Sequence, residues 1–215
     1  MPSRKIPLSR SSHITGVQPL APGMVMIGHE SALERDFVLL QRLDGGVLAV
    51  EEQPVTITWK DDAGQARQYT PDYRVVRQSG AEIVEVKYRQ DLRENWRLYR
   101  PRFIAARDWA KAQGIGFRIA TERGIRTPRL LNAKKLIPRM HDHVAPALEV
   151  RTLQTAAQHG PMPFMRLTEA VSGPDHPMVE VLAAVWALLA KRRLLADLDK
   201  PITGHTIVST PCPRS

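Results

Sequence analysis

One pair of segments constrains this chain more than any other: Tyr69-Thr70-Pro71-Asp72-Tyr73, followed by Ile83-Val84-Glu85-Val86-Lys87. The second run is β-branched and predicts a strand. On a strand Glu85 and Lys87, two apart, project from one face. An Asp near the start of one apolar run and a Glu-x-Lys at the end of the next bring two carboxylates and an ammonium onto adjoining strands. Such a set can hold a divalent cation and a water, the requirement for cutting a phosphodiester.

The chain has 215 residues, room for one or two small domains, and 43% apolar content, enough for a packed core. No run of 18 apolar residues suits a transmembrane helix, and the basic, Ser-rich start has no apolar signal core, so a cytoplasmic, nucleoid-associated protein is expected. A single cysteine, Cys212, excludes an intrachain disulfide and a Cys-based zinc site. The net charge of +9 is unevenly spread. Residues 30–86 carry 11 acids and 6 bases, whereas residues 87–139 carry 15 bases and 4 acids. The change falls at Glu85-x-Lys87. Acids suited to a cation thus adjoin bases suited to phosphates, although a solvated basic face would show the same stripe.

Three regions emerge. Residues 1–22 read as a flexible basic arm, 23–143 as the domain with the Asp and Glu-x-Lys motif, and 144–210 as a nearly neutral helical domain. Ser31-x-x-Glu34 has the form of a capping box opening a helix with Leu33, Phe37 and Leu40 inward, ended by Asp44-Gly45-Gly46. Residues 55–60, 68–76 and 82–88 predict an antiparallel meander. A long helix follows over 91–113, with a seam of Leu92, Trp96, Tyr99, Phe103, Ala106 and Ala110; Pro101 should kink or split it. Residues 116–120 form a short strand after that helix, so a parallel or mixed pairing is expected. A short helix over 129–137 precedes three helices at 144–158, 166–171 and 177–192 and a terminal hairpin, the order of a winged helix. The fold class is therefore α/β, a mixed sheet flanked by helices with a small C-terminal winged-helix-like domain.

Asp72 would ligate a metal ion directly, with Glu85 and the backbone carbonyl of Val86 beside it and Lys87 orienting the attacking water or the phosphate charge. A further acid must come from elsewhere. Glu34 is the choice, although its place in the capping box accounts for it equally; Glu30 and Asp36 are weaker alternatives. Glu85 and Lys87 could also be an ordinary surface pair. Arg89, Arg93, Arg97, Arg100 and Lys111 are the candidate DNA-binding residues. His141-Asp142-His143 reads as a solvated linker.

In this order and spacing, Ser31–Phe37, Glu52-Gln53-Pro54, Tyr69–Tyr73 and Val84–Lys87 resemble the TnsA-type endonuclease subunit of heteromeric transposases, a family of the restriction-endonuclease-like PD-(D/E)xK nucleases. The resemblance covers roughly residues 25–140. It implies that Glu34 is the helix-borne acid, Asp72 the central metal ligand, and Glu85 and Lys87 the final pair. Some relatives carry Gln where Glu85 stands. It further implies Mg2+ as cofactor, with Mn2+ an admissible substitute, and cutting of the 5′, non-transferred strand at transposon ends. The implied partners are double-stranded DNA, an RNase-H-like transposase subunit and an AAA+ ATPase regulator, without a membrane. A stand-alone restriction or repair nuclease of the same fold, or a non-catalytic DNA-binding adaptor, are the competing readings.

Overall fold

Two short antiparallel strands, β1 (Gly16–Pro19) and β2 (Met26–His29), open the described chain, so part of the segment read as a flexible arm is paired backbone. The computed structural model describes the backbone of residues 16–19 and 26–29, and residues 31–211. The rest of the arm, Glu30 and Cys212 lie outside the described residues. The chain separates into two compact units, Met1–Arg126 and Thr127–Ser215, upstream of the 143/144 boundary read from the sequence.

In the first unit α1 (Ala32–Leu43) begins where Ser31, in an extended conformation, accepts the Glu34 backbone N–H on its hydroxyl at 3.2 Å. That satisfies one of the helix's otherwise unpaired N-terminal donors. Asp44 closes the helix, and its carboxylate accepts the Gly46 N–H at 3.0 Å in the turn that follows. Then come β3 (Val47–Glu52), β4 (Ile57–Lys60), β5 (Ala66–Tyr69), β6 (Tyr73–Arg77) and β7 (Gly80–Val86). Next are α2 (Arg89–Glu94), α3 (Trp96–Ala112), β8 (Gly116–Ala120) and the short α4 (Glu122–Ile125).

The main sheet has the order β3-β6-β7-β8. Its first two pairings are antiparallel, and β7–β8 is parallel, the mixed sheet expected from a strand that returns after a helix. The meander reading is corrected in two respects. The β4–β5 hairpin is a sheet of its own, because Thr70-Pro71 interrupts the ladder before β6 and Pro71 has no N–H to donate. The partner of β6 is instead β3, an apolar run directly after Gly45-Gly46 that the sequence reading passed over. The long basic helix also differs: it divides at Asn95, and Pro101 lies inside α3. A proline so near the start of a helix forfeits a hydrogen bond from one of the first turns only, which the helix tolerates.

Two apolar clusters cover the two faces of the sheet. Val84 and Val86, two apart on β7, both face the first, as the pleat requires. Val84 and Val86 pack with Leu33, Phe37 and Val38 of α1, with Tyr73 and Val75, and with Ala120 and Ile125. On the other side Phe103 and Ala106 of α3 pack with Ile57 and Tyr69 of the hairpin and with Phe117 and Ile119 of β8. At the far end of the sheet Glu82 joins three strands, accepting from Arg77 at 2.7 Å and from Arg118 at 3.0 Å.

The second unit contains α5 (Pro128–Leu136), a 3-10 turn at Ile137–Arg139, α6 (Pro146–His159), β9 (Met162–Pro163), α7 (Phe164–Val171), α8 (Met178–Ala190), β10 (Leu195–Ala196) and β11 (Ile207–Ser209). The strands form a small antiparallel sheet in the order β10-β11-β9; the two-residue β9 was absent from the sequence reading. Asn132 of α5, fully buried, donates to the carbonyls of Leu198 and Lys200 and accepts the Ile202 N–H. These bonds make α5 part of this unit, although the sequence reading placed it before the boundary. Among the described residues no helix is long and apolar enough to cross a membrane.

Candidate active site

Asp72 lies directly before β6, and Glu85 and Lys87 lie at the end of β7. Their neighbourhood follows from register: Tyr73 pairs with Val84, so the chain just before β6 meets the chain just after Val84. The Asp72 carboxylate accepts the Val86 N–H at 2.8 Å, a bond that anchors it across the two strands. Lys87 Nζ stands 3.1 Å from Glu85 Oε1 and 3.8 Å from Asp72 Oδ2. Glu85 is 2% exposed, so these residues are not the surface pair left open as an alternative.

Glu34 comes from α1, on the other face of the sheet. Tyr73 donates its hydroxyl to Glu34 Oε2 at 3.5 Å, and the charge of Glu34 is felt by both Asp72 and Lys87. Lys87 meets Asp72 and Glu85 directly, and Glu34 adds a lesser electrostatic influence from beyond Tyr73. The cap and the site use different parts of Glu34: Ser31 accepts its backbone N–H, and its carboxylate accepts from Tyr73. Asp36, the weaker alternative, is buried and engaged with Arg126 at 3.4 Å.

Burial, then the charge of Glu85, pushes the Asp72 carboxyl well above the ordinary Asp value, and Glu34 adds to this. Burial works against the Lys87 ammonium, but Asp72, Glu85 and Glu34 together outweigh it and hold its pKa above that of an ordinary lysine. Burial and the Glu34 carboxylate likewise raise the Tyr73 phenol. Three acids against one lysine leave surplus negative charge in a poorly hydrated place, which is costly unless a cation offsets it. Oxygen donors of this kind suit Mg2+. Among the described residues no three His, Cys, Asp or Glu side chains are gathered as a ready ligand set. In this arrangement the ammonium of Lys87 is the charge that the carboxylates meet. His141, Asp142 and His143 are exposed, and Lys191 donates to the Asp142 carbonyl.

Residues 44–122 match the family model described as the TnsA-like endonuclease N terminal. Over these residues the chain is similar to the N-terminal domain of TnsA-like endonucleases. The match includes Asp72, Glu85 and Lys87, begins after Glu34, and covers none of the second unit. No curated protein matches the chain.

Three residues of the TnsA-like domain were given no role from sequence. Tyr69, packed in the α3-side cluster, donates its hydroxyl to Glu85 Oε2. Burial, with Glu85 next to it, raises its own pKa far above that of a free phenol. The tyrosine stood in the quoted motif, but only the hairpin's fold over the sheet reveals its partner. Arg102 holds its guanidinium 3.9 Å from the centre of the Tyr99 ring and 5.6 Å from that of Tyr69. The i, i+3 spacing of Tyr99 and Arg102 on a helix was a legible signal for the first contact. Gln53 is buried with φ +44°, a left-handed conformation costing about 1 kcal/mol or more in a non-glycine residue. Its N–H donates to the Asp72 carbonyl at 2.8 Å, tying the end of β3 to the residue that leads β6. The exposed basic residues Arg89, Arg93, Arg97, Arg100 and Lys111 lie along α2 and α3.

Proposed function

We propose that this chain is the metal-dependent DNA endonuclease subunit of a heteromeric transposase, cutting the 5′, non-transferred strand at transposon ends. The observation that carries this reading is Lys87 set against Asp72 and Glu85 within the TnsA-like segment, with Glu34 approaching through Tyr73. Glu34, Asp72, Glu85 and the Val86 carbonyl would hold Mg2+, or Mn2+ in its place. Bound there, the ion would offset charge on the phosphate and lower the pKa of an attacking water.

The chain's own residues supply the remainder. Asp72, fixed by the Val86 N–H, presents a carboxylate in a constant place. Lys87 stays protonated at neutral pH, so it acts as a cation toward the scissile phosphate rather than as a base. Arg89, Arg93, Arg97, Arg100 and Lys111 would grip phosphates on either side of the cut without reading sequence. End recognition would then come from the RNase-H-like transposase and target choice from the AAA+ regulator. Within the second unit, α6, α7 and α8 with the small antiparallel sheet would form a winged-helix-like module. Residues 145–215 carry 7 bases against 6 acids, and this near-neutral charge favours a protein-binding surface at least as much as a DNA-reading one.

The test is a nicking assay on a duplex carrying transposon ends, in Mg2+, with and without the transposase. Asp72→Ala and Lys87→Ala should each abolish 5′-strand nicking while folding and DNA binding persist. Undiminished nicking by Asp72→Ala would refute the assignment. Nicking of any duplex without the transposase would favour the stand-alone nuclease, and DNA binding with no cutting under any condition would favour the adaptor.

A further inference from the structure

The two oxygens of the buried Glu85 are held from opposite sides. Oε1 is 3.1 Å from Lys87 Nζ, and Oε2 accepts the Tyr69 hydroxyl at 2.5 Å. Tyr69 is itself immobilised, packed among Ile57, Phe103 and Ala106 with its ring edge-on to Phe103. A carboxylate at the end of a flexible side chain has several rotamers. One gripped at both oxygens has one.

We propose, resting on the nuclease reading above, that Tyr69 is a positioning residue: its hydroxyl clamps Glu85 so that the other carboxylate oxygen faces Lys87 and the cation position. The hairpin that carries Tyr69 thereby becomes a support of the active site rather than an appendage to the core.

Tyr69→Phe tests this, since the ring and its packing remain and only the hydroxyl is lost. Groups that support a ligand from behind typically change metal affinity or activity by 10- to 100-fold. We expect Tyr69→Phe to weaken Mg2+ binding, measured by calorimetry on the full chain without DNA, by about tenfold. We also expect kcat for nicking to fall by a similar factor with KM for the duplex unchanged. The decisive measurement is a cycle with Glu85→Ala. If Tyr69 acts through Glu85, its substitution costs nothing further, in Mg2+ affinity or metal-free melting temperature, once Glu85 is gone. In the parent, the metal-free melting temperature should fall by about 4 °C, because a buried carboxylate oxygen loses its donor. Equal melting losses in both backgrounds, or Mg2+ affinity and kcat unchanged in Tyr69→Phe, would overturn the clamp. A parent protein that neither binds Mg2+ nor nicks DNA would instead sink the nuclease reading, and the metal-free cycle would still decide the clamp.

Discussion

At the scale of single residues, the site holds more negative charge than its surroundings can offset. Asp72 bears most of that frustration: its pKa is raised by burial and by Glu85, so the folded chain keeps the Asp72 proton to a higher pH than the unfolded chain does. The sign follows. The stabilisation carried by that proton is complete below the ordinary Asp pKa of about 4 and is lost as pH rises through the raised value. Asp72→Asn cannot ionise, and its amide oxygen can still accept the Val86 N–H. We expect metal-free parent protein to lose melting temperature relative to Asp72→Asn as pH is raised from about 4 to 8. Mg2+ should restore the parent at the upper end of that range and leave the variant unmoved. Parallel melting curves for the two proteins across the range would show that Asp72 is not destabilised by its neighbours. Lys87 has the opposite place in the balance: its raised pKa means that its pairing persists until pH exceeds the ordinary lysine value.

At the scale of elements, α1 combines stability and placement in one turn. Ser31 caps the helix and so sets where Glu34 lies relative to Tyr73. Ser31→Ala should cost about 1 kcal/mol, seen in chemical denaturation, and should lower nicking by more than its stability loss explains. Normal nicking in Ser31→Ala would mean that Glu34 is located by packing of Leu33 and Phe37 alone. The α2–α3 pair supplies the basic face. Trp96, 46% exposed, and Leu98, 70% exposed, lie among its arginines, whereas Phe103, Ala106 and Ala110 form the buried part of the seam. Exchanging both Arg93 and Arg97 for Ala should weaken duplex binding and reduce the slope of log K against log salt by about 2. An unchanged slope in a salt titration would make them a solvated face only.

At the scale of the whole molecule, the second unit begins earlier than the sequence reading placed it. α5 packs with α8, and Asn132 satisfies three backbone groups of the 198–202 loop. A fragment ending at 144 would keep α5 but strip away those partners, exposing Leu130, Ala133 and Leu136 and leaving Asn132 without its bonds. A fragment ending at Arg126 has no such loose helix. We expect the 1–126 fragment to stay monodisperse in light scattering while the 1–144 fragment associates. Removal of 127–215 should also abolish capture of the ATPase regulator; retained capture would move the partner surface into the first unit.

Much of the site was legible in advance, and the reason is local. A strand fixes the direction of every second side chain, so Glu85 and Lys87 could be placed on one face from spacing alone. A capping residue fixes where a helix starts, and hence where its third residue lies. Pairing between distant segments was less legible. The Pro71 interruption, β3 as the partner of β6 and the break at Asn95 depend on which apolar runs find each other, and similar runs compete for that role.

By itself the sequence determined the acids, the lysine, the mixed sheet and the charge step between them, since each rests on short-range periodicity. Only the tertiary structure decided that Tyr69 grips Glu85, that Gln53 pins Asp72 and that Arg102 also reaches the Tyr69 ring. Those contacts join segments that no local rule relates, and they arise because burial leaves each polar group few partners within reach.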